Sequence, residues 1–164
     1  MTNAVKNSGD NWLEAFVPYK IYRISNSLNQ RLRARLRELP MSLSRWRVLS
    51  VLRANGTLTI NTIAEQAAME QPTVSRTVTQ LVRQKLVSRR AAASDSRFSE
   101  VSLTAAGNQA FEAIYPIATE HQTVALQGFS KTEIKTLHLY LQRIQANIAN
   151  EHDASSDWPS RHRA

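Results

Sequence analysis

Apolar residues recur every three or four positions near both ends of the chain, which is the spacing of an amphipathic helix. Near the N-terminus this pattern predicts one long helix over 11–39, ended by Pro40. Near the C-terminus it predicts long helices within 105–150. The last of them carries a seam of alternating three- and four-residue steps, typical of helix–helix packing. The seam consists of Ile134, Leu137, Leu141, Ile144 and Ile148.

The middle of the chain predicts three shorter helices. The first begins after Ser42, whose side chain can cap it, and stops at Gly56. A short extended piece at 57–59 leads into the second helix, over 60–68. The third is predicted over 71–86, with a proline in the first turn, where proline is tolerated.

A β-hairpin is predicted directly after the third helix. Its strands are 87–91 and 100–103, and the residues between them, 92–98, are typical of a turn. The predicted fold is therefore mainly α with a small β-hairpin wing: a winged helix-turn-helix over 42–104 plus long terminal helices. Those helices carry more apolar surface than so small a unit can cover, which predicts a homodimer.

We interpret 11–150 as a single domain, with dimerisation helices over 11–39 and 105–150. The polar segments 1–10 and 151–164 have no apolar periodicity and are interpreted as a disordered lead and tail. The chain has no cysteine, which excludes disulfides, thiolate nucleophiles and cysteine-containing zinc sites. No apolar run approaches the length of a membrane-spanning helix. We expect a cytoplasmic protein without a metal or other cofactor.

Basic residues outnumber acidic ones, 21 to 13, and the formal net charge is +8. The excess lies in the first two-thirds of the chain: between positions 20 and 53 the only acidic residue is Glu38. Such a balance favours polyanionic partners, either nucleic acid or an anionic membrane surface.

The predicted helix 71–86 has two unlike faces. The apolar stripe, suited to a core, consists of Val74, Val78, Leu81 and Val82. The opposite face carries arginine, glutamine and threonine, which can bond to base edges and phosphates in a major groove. An ordinary amphipathic helix with a solvated polar face would show the same pattern, so both interpretations stay open on this helix alone.

The tip of the predicted hairpin contains Asp95 and Arg97. The Asp95 carboxylate can accept bonds from turn amides and from the Arg97 guanidinium, holding that arginine outward. An outward arginine can enter a minor groove, although for the tip alone an aspartate-initiated turn with solvated arginines is the favoured interpretation. Arg89 and Arg90 should point to opposite faces of their strand, so at most one of them reaches the phosphates near the Arg97 side chain.

Several of these segments together resemble one family. The chain resembles MarR-type regulators in the order and spacing of five segments, over nearly all of 12–150. The most distinctive part is the Asp-x-Arg tip followed by Leu-Thr-x-x-Gly. The segments are Pro72-Thr73-Val74-Ser75-Arg76, Leu86-Val87, Arg89-Arg90, Asp95-Ser96-Arg97 and Leu103-Thr104-Ala105-Ala106-Gly107.

The resemblance implies a prokaryotic transcriptional regulator, most often a repressor. It implies a homodimer with recognition helices in successive major grooves of a near-palindromic operator and wings in the flanking minor grooves. One departure is Lys85, where the family usually has glycine at the end of the recognition helix. The predicted DNA-binding residues are Gln71, Pro72, Thr73, Ser75, Arg76, Thr79, Arg83, Asp95 and Arg97.

The resemblance also implies a small-molecule effector, often an aromatic acid, bound between the dimer helices and the DNA-binding lobe. Aromatic walls and a cation for the carboxylate are the expected chemistry there. Core packing of the tryptophan and solvation of the arginines are the competing interpretation. The candidate ligand-binding residues are Tyr22, Arg23, Asn26, Trp46, Arg47 and His121.

Two other functions have less support. An enzyme finds little support, because the chain has no glycine-rich phosphate loop, no His-Glu-x-x-His and no nucleophile motif. A non-specific chromosome-coating or RNA-binding protein fits the charge, but aromatic-rich stretches for base stacking are lacking. We therefore predict a sequence-specific DNA-binding regulator and no catalytic site.

Overall fold

The computed structural model describes residues 12–91 and 99–154, which form two compact units, one extending to Gln122 and one beginning at Thr123. The elements follow the predicted order. They are α1 (Trp12–Ala15), α2 (Val17–Leu36), α3 (Leu43–Asn55), β1 (Leu58–Thr59), α4 (Ile60–Ala67), α5 (Gln71–Arg83), β2 (Val87–Ala91), β3 (Ser99–Leu103), α6 (Ala105–Ala125) and α7 (Lys131–Ala154).

The single helix predicted over 11–39 is wrong, because it is divided at Phe16, which has an extended backbone. Pro18 accounts for the break. Proline has no amide proton to donate to the carbonyl four residues earlier, and its ring would clash with that carbonyl. The same proline is favourable in the first turn of α2, where the amide would lack a partner in any case. α2 ends at Leu36, and a turn at 37–40 follows it.

A hydrophobic core joins α3, α4 and α5 to the small sheet. Three members of the predicted apolar stripe of α5, Val74, Val78 and Leu81, are buried in it beside residues of α3 and α4. The prediction is wrong for Val82, which is 37% exposed because it lies at the edge of the stripe, near the end of the helix. The predicted caps of α3 are confirmed: Arg45 N donates to Ser42 Oγ over 3.3 Å, and Gly56 ends the helix with φ of 77°. α3, α4, α5 and the sheet thus form one lobe, and the burial of the apolar face of α5 leaves its polar face on the outside of this lobe.

The predicted hairpin is present, with β2 and β3 antiparallel and Val87 opposite Leu103. The sheet also contains β1, which pairs with the other edge of β3 and places Leu58 opposite Val101. The strand order is therefore β1-β3-β2. The hairpin is thus hydrogen-bonded to the residues that lead into α4.

A second apolar cluster joins α2, α3 and α6. The rings of Trp46 and Phe111 stack at its centre with centroids 5.1 Å apart. Leu32 and Leu36 of α2 and Ile114 of α6 are buried against them. The tryptophan is therefore mostly buried, as the core interpretation of this residue predicts.

The last two helices are capped by hydroxyl side chains. Gly107 N donates to Thr104 Oγ1 over 3.0 Å at the start of α6. At the start of α7, Glu133 N donates to Ser130 Oγ and the Glu133 carboxylate accepts from Ser130 N, a reciprocal capping box. α7 continues to Ala154, four residues beyond the end predicted at 150, because no helix-breaking residue occurs before that point.

Candidate DNA interface

The candidate DNA-binding surface lies on α5. Pro72 occupies its first turn, and Val74, Thr77, Val78 and Leu81 are buried against the rest of the lobe. The Thr77 hydroxyl donates to the carbonyl oxygen of Thr73 over 2.8 Å, so this buried polar group is satisfied within the helix. The other face is open to solvent and has no acidic side chain. Its exposed residues are Gln71, Pro72, Thr73, Arg76, Thr79, Gln80 and Arg83, with Ser75 half-buried.

α5 ends at Arg83, so the prediction of a helix to 86 is wrong by three residues. Lys85 adopts the left-handed conformation with φ of 59°, which stops the helix. The amide of Lys85 donates to Val82 O and that of Leu86 donates to Leu81 O, each over 2.9 Å. These two bonds form a Schellman motif, which usually has glycine at the left-handed position. A lysine here takes up that geometry at a steric cost.

The preceding helix, α4, ends in the same way. Ala68 is left-handed with φ of 48°, and the Met69 amide donates to Ala64 O over 2.9 Å. A turn at Met69 and Glu70 then leads directly into α5. Both helices of the helix-turn-helix are therefore terminated by non-glycine residues in a left-handed conformation.

A side chain that we did not predict from sequence also reaches the edge of this surface. Nε and Nη2 of Arg45, near the start of α3, lie 3.4 and 3.2 Å from Oε1 of Gln80 on α5. The sequence places Arg45 in the basic stretch 20–53, but helical periodicity does not show which neighbouring element a surface arginine contacts.

The hairpin presents two arginines at the edge of the sheet. Arg89 and Arg90 are both exposed and, as neighbours in β2, point to opposite faces. Arg90 lies opposite Glu100 of β3. The predicted wing residues Asp95 and Arg97 fall in 92–98, outside the described residues.

An open cleft of about 390 Å³ lies between α3 and α6. Trp46, Phe111 and Tyr115 give it aromatic walls, and Arg53 places a guanidinium on its rim. Nη2 of Arg53 lies 3.3 Å from Oε1 of Glu112, and about half of each side chain is exposed. The Ser50 hydroxyl, also in the lining, is buried and has no hydrogen-bond partner among the described residues.

Of the six candidate ligand-binding residues, only Trp46 lines this cleft. The Tyr22 ring packs near that of Tyr19, and the Arg23 guanidinium lies 5.9 Å from the centroid of the same Tyr19 ring. Asn26 is exposed on α2. These three side chains therefore belong to the surface of α2 in a single chain.

The other two candidates, Arg47 and His121, have partners on α2. Arg47 Nη2 donates to Asn29 Oδ1 over 2.9 Å, and Arg31 Nη1 lies 3.2 Å from His121 Nδ1. Burial lowers the pKa of His121 from 6.5, and the positive charge of Arg31 lowers it further. The ring is therefore favoured in its neutral form, with Nδ1 free to accept from Arg31.

The described part of the chain contains no group of three metal-ligating side chains. Within 12–91 and 99–154, no helix is long and apolar enough to cross a membrane. The chemistry that this surface offers is hydrogen bonding by arginine, glutamine, serine and threonine, backed by positive charge.

Comparison with known proteins agrees with this geometry. Residues 39–97 match the sequence profile of the MarR family. The transcriptional repressor IacR of Pseudomonas putida is 24% identical over 135 residues, which cover 82% of this chain and 81% of IacR.

Solved structures share the fold. MepR of S. aureus in complex with DNA has a TM-score of 0.71 and 25% identity, covering 85% of this chain and 99% of MepR. BpsR of Bordetella bronchiseptica, whose DNA binding is regulated by 6-hydroxynicotinic acid, has a TM-score of 0.73 and 20% identity over 84% and 98% of the two chains. A MarR-family transcriptional regulator from Silicibacter pomeroyi has a TM-score of 0.77 and 32% identity, covering 83% of this chain and 92% of that one. The chain therefore belongs to the MarR family and is a DNA-binding transcriptional regulator.

Proposed function

We propose that this regulator is a prokaryotic cytoplasmic repressor that binds a near-palindromic operator as a homodimer and releases it when a small aromatic acid binds. In this proposal α5 enters the major groove and the hairpin tip 92–98 enters the adjacent minor groove. The observation that carries it is the outward face of α5. It offers seven exposed side chains able to contact DNA and no carboxylate to repel phosphate.

The proposed DNA-binding residues divide by the groove that they would contact. Arg76 and Gln71 have side chains that can bond to base edges, whereas Thr73, Ser75, Thr79 and Arg83 suit bases or phosphates. Pro72 lies in the first turn of the helix, where a residue without an amide proton is tolerated. Asp95 and Arg97 are proposed to act at the hairpin tip, the aspartate holding the arginine toward the minor groove.

The homodimer is supported by apolar side chains that a single chain leaves in solvent. On α1 and α2 these include Trp12, 66% exposed, and Ile24, 59% exposed, together with Phe16 and Val17. On α7 they include Leu139, Leu141 and Ile148. A second copy would bury such faces, and closed two-fold pairing is the commonest arrangement of soluble oligomers.

The cleft between α3 and α6 is proposed as the effector site. Its aromatic lining, in which Tyr115 is the most exposed ring, suits a planar ligand, and the Arg53 guanidinium suits a carboxylate. An acid bound there would compete with Glu112 for Arg53. The Ser50 hydroxyl would gain a partner on the same ligand, since it has none among the described residues. Regulation of BpsR by an aromatic acid supports this class of effector.

The experiment that tests the proposal is a footprint of the purified protein on DNA flanking its own gene, at near-physiological salt with competitor DNA. A protected near-palindrome with half-sites about one helical turn apart is expected. The affinity for this site should exceed that for random DNA by roughly 10³-fold or more. A ratio near unity at every sequence tested would instead indicate a non-specific chromosome-coating protein.

A further inference from the structure

A fixed contact joins α3 to the outward edge of the recognition helix. Nε and Nη2 of Arg45 both donate to one oxygen, Oε1 of Gln80, over 3.4 and 3.2 Å. Nη1 of the same guanidinium donates to the carbonyl oxygen of Pro40 over 3.4 Å. Because the guanidinium is held from both sides, it turns the oxygen of the Gln80 amide toward α3.

Gln80 lies where a recognition helix meets DNA. Its side chain is exposed, and it follows Arg76 by one helical turn and Thr73 by two. These three residues form one edge of the outward face of α5. A base that lies one turn of the helix beyond the base under Arg76 would therefore face the Gln80 amide.

The contact with Arg45 restricts which bases the Gln80 amide can recognise. A carbonyl oxygen has two lone pairs, and here two guanidinium N–H groups point at it, which leaves the amide NH₂ group to face outward as a donor. An unrestrained glutamine pairs with adenine by accepting from N6 and donating to N7. Guanine presents two acceptors in the major groove and thymine presents one, neither with a donor on the same base, whereas adenine presents its N6 donor beside the N7 acceptor. Guanine and thymine therefore suit an outward donor better than adenine does.

We propose that Arg45 is a positioning residue that makes Gln80 a donor-only reader, so that the base contacted by the Gln80 amide, on the strand that faces it, is guanine or thymine and not adenine. This inference rests on the proposed function, in which α5 lies in the major groove. The N6 amino group of adenine would repel the NH₂ group of Gln80, because both are donors, and adenine is therefore disfavoured.

Selection from randomised DNA tests this inference. The set comprises the unmodified protein, Arg45→Ala, Gln80→Ala, the double variant and Arg33→Ala, a charge-matched control on an exposed position of α2. The unmodified protein and the control should enrich guanine or thymine about tenfold over adenine at one position of each half-site. Gln80→Ala should abolish this preference, Arg45→Ala should shift it toward adenine, and the double variant should match Gln80→Ala.

Arg45→Lys separates positioning from charge, because lysine keeps the positive charge but lacks the two-pronged donor. It should shift the base preference and leave the salt dependence of binding unchanged, and it serves as the test if Arg45→Ala does not fold. Arg45→Ala could instead weaken binding to all sequences equally, lower the slope of log K against log salt concentration by about one, and leave the base preference unchanged. That result would make Arg45 a phosphate contact and overturn the inference. Selection of adenine by the unmodified protein would also overturn it. Absence of any enriched sequence would instead refute the proposed function and the inference with it.

Discussion

Gly107 lies directly against the carbonyl oxygen of Leu86: a Cβ at position 107 would sit 1.9 Å from that oxygen. The same oxygen accepts a hydrogen bond from Thr104 N over 3.1 Å. The Thr104 hydroxyl also donates to the carbonyl oxygen of Lys85 over 2.7 Å. The residues that follow α5 and those that begin α6 are thus joined at backbone carbonyl groups, which cannot easily move aside for a larger residue at position 107.

We expect Gly107→Ala to destabilise the protein by about 1–3 kcal/mol, the usual cost of forcing an extra carbon into a packed site. The obstacle is a backbone carbonyl, so a change of side-chain rotamer cannot relieve it. Urea unfolding at fixed protein concentration measures the change. Ala106→Ser, at an exposed neighbouring position, is the control and should alter stability by less than about 0.5 kcal/mol. Equal stability of Gly107→Ala and the control would contradict the close approach.

Lys85→Gly should have the opposite effect and raise the free energy of unfolding by about 1 kcal/mol. The left-handed φ of 59° is unfavourable for a residue with a Cβ, whereas glycine adopts it freely. Arg83→Gly is the matched comparison, because the same substitution two residues earlier falls in helical backbone and should cost about 1 kcal/mol. Thermal unfolding distinguishes the two, and destabilisation by Lys85→Gly would show that its side chain makes a compensating contact.

Arg76→Ala should weaken operator binding by about 1–3 kcal/mol if the guanidinium reads a base, and should relax the preference at that base pair. Arg33→Ala, which removes the same charge from α2, should change affinity much less. Binding is measured by titration of a labelled operator at one stated salt concentration. Unchanged affinity of Arg76→Ala would place this side chain outside the groove.

Ile24→Glu should weaken dimerisation at least about tenfold, because a burial contribution of roughly 1.5 kcal/mol or more is lost on each copy. Gln30→Glu adds the same charge on the opposite side of α2, away from the apolar stripe, and should leave the dimer intact. Sedimentation equilibrium gives the dissociation constants. A monomeric unmodified protein, or equal effects of the two variants, would argue against pairing through this face of α2.

Acidification should destabilise the protein through His121. Its folded-state pKa is lowered from 6.5, chiefly by burial and then by Arg31, so the unfolded chain takes up the proton first as the pH falls. The stability contributed by the neutral ring is complete above pH 6.5 and is lost as the pH falls through the folded-state pKa. His121→Gln should flatten the dependence of unfolding free energy on pH in this window, and Arg31→Gln should flatten it in part. An unchanged slope in His121→Gln would assign the dependence to other groups.

Much of the fold follows from local signals, and the departures come from contacts that such signals do not encode. The period of apolar residues predicts the outward face of α5, because burial of Val74 and Leu81 on one side of the helix places the residues of the other side in solvent. The sequence does not predict the helix break at Phe16, because the apolar residues keep their helical spacing across Pro18. The lining of the cleft between α3 and α6 does not follow from the sequence, since periodicity gives the face of a residue but not its partner. Arg47 and His121 bond to Asn29 and Arg31 of α2, whereas Ser50 and Arg53 line the cleft without having been predicted.

The pairing of β1 with β3 bears on how the protein is made. Leu58 precedes α4, yet its partner in the sheet is Val101, 43 positions later (101 − 58). Contacts so distant in sequence form late, because the intervening loop must first be closed. During synthesis α3, α4 and α5 can pack against one another while the third strand is still inside the ribosome. The lobe that carries α5 is completed only when β3 has emerged from the ribosome.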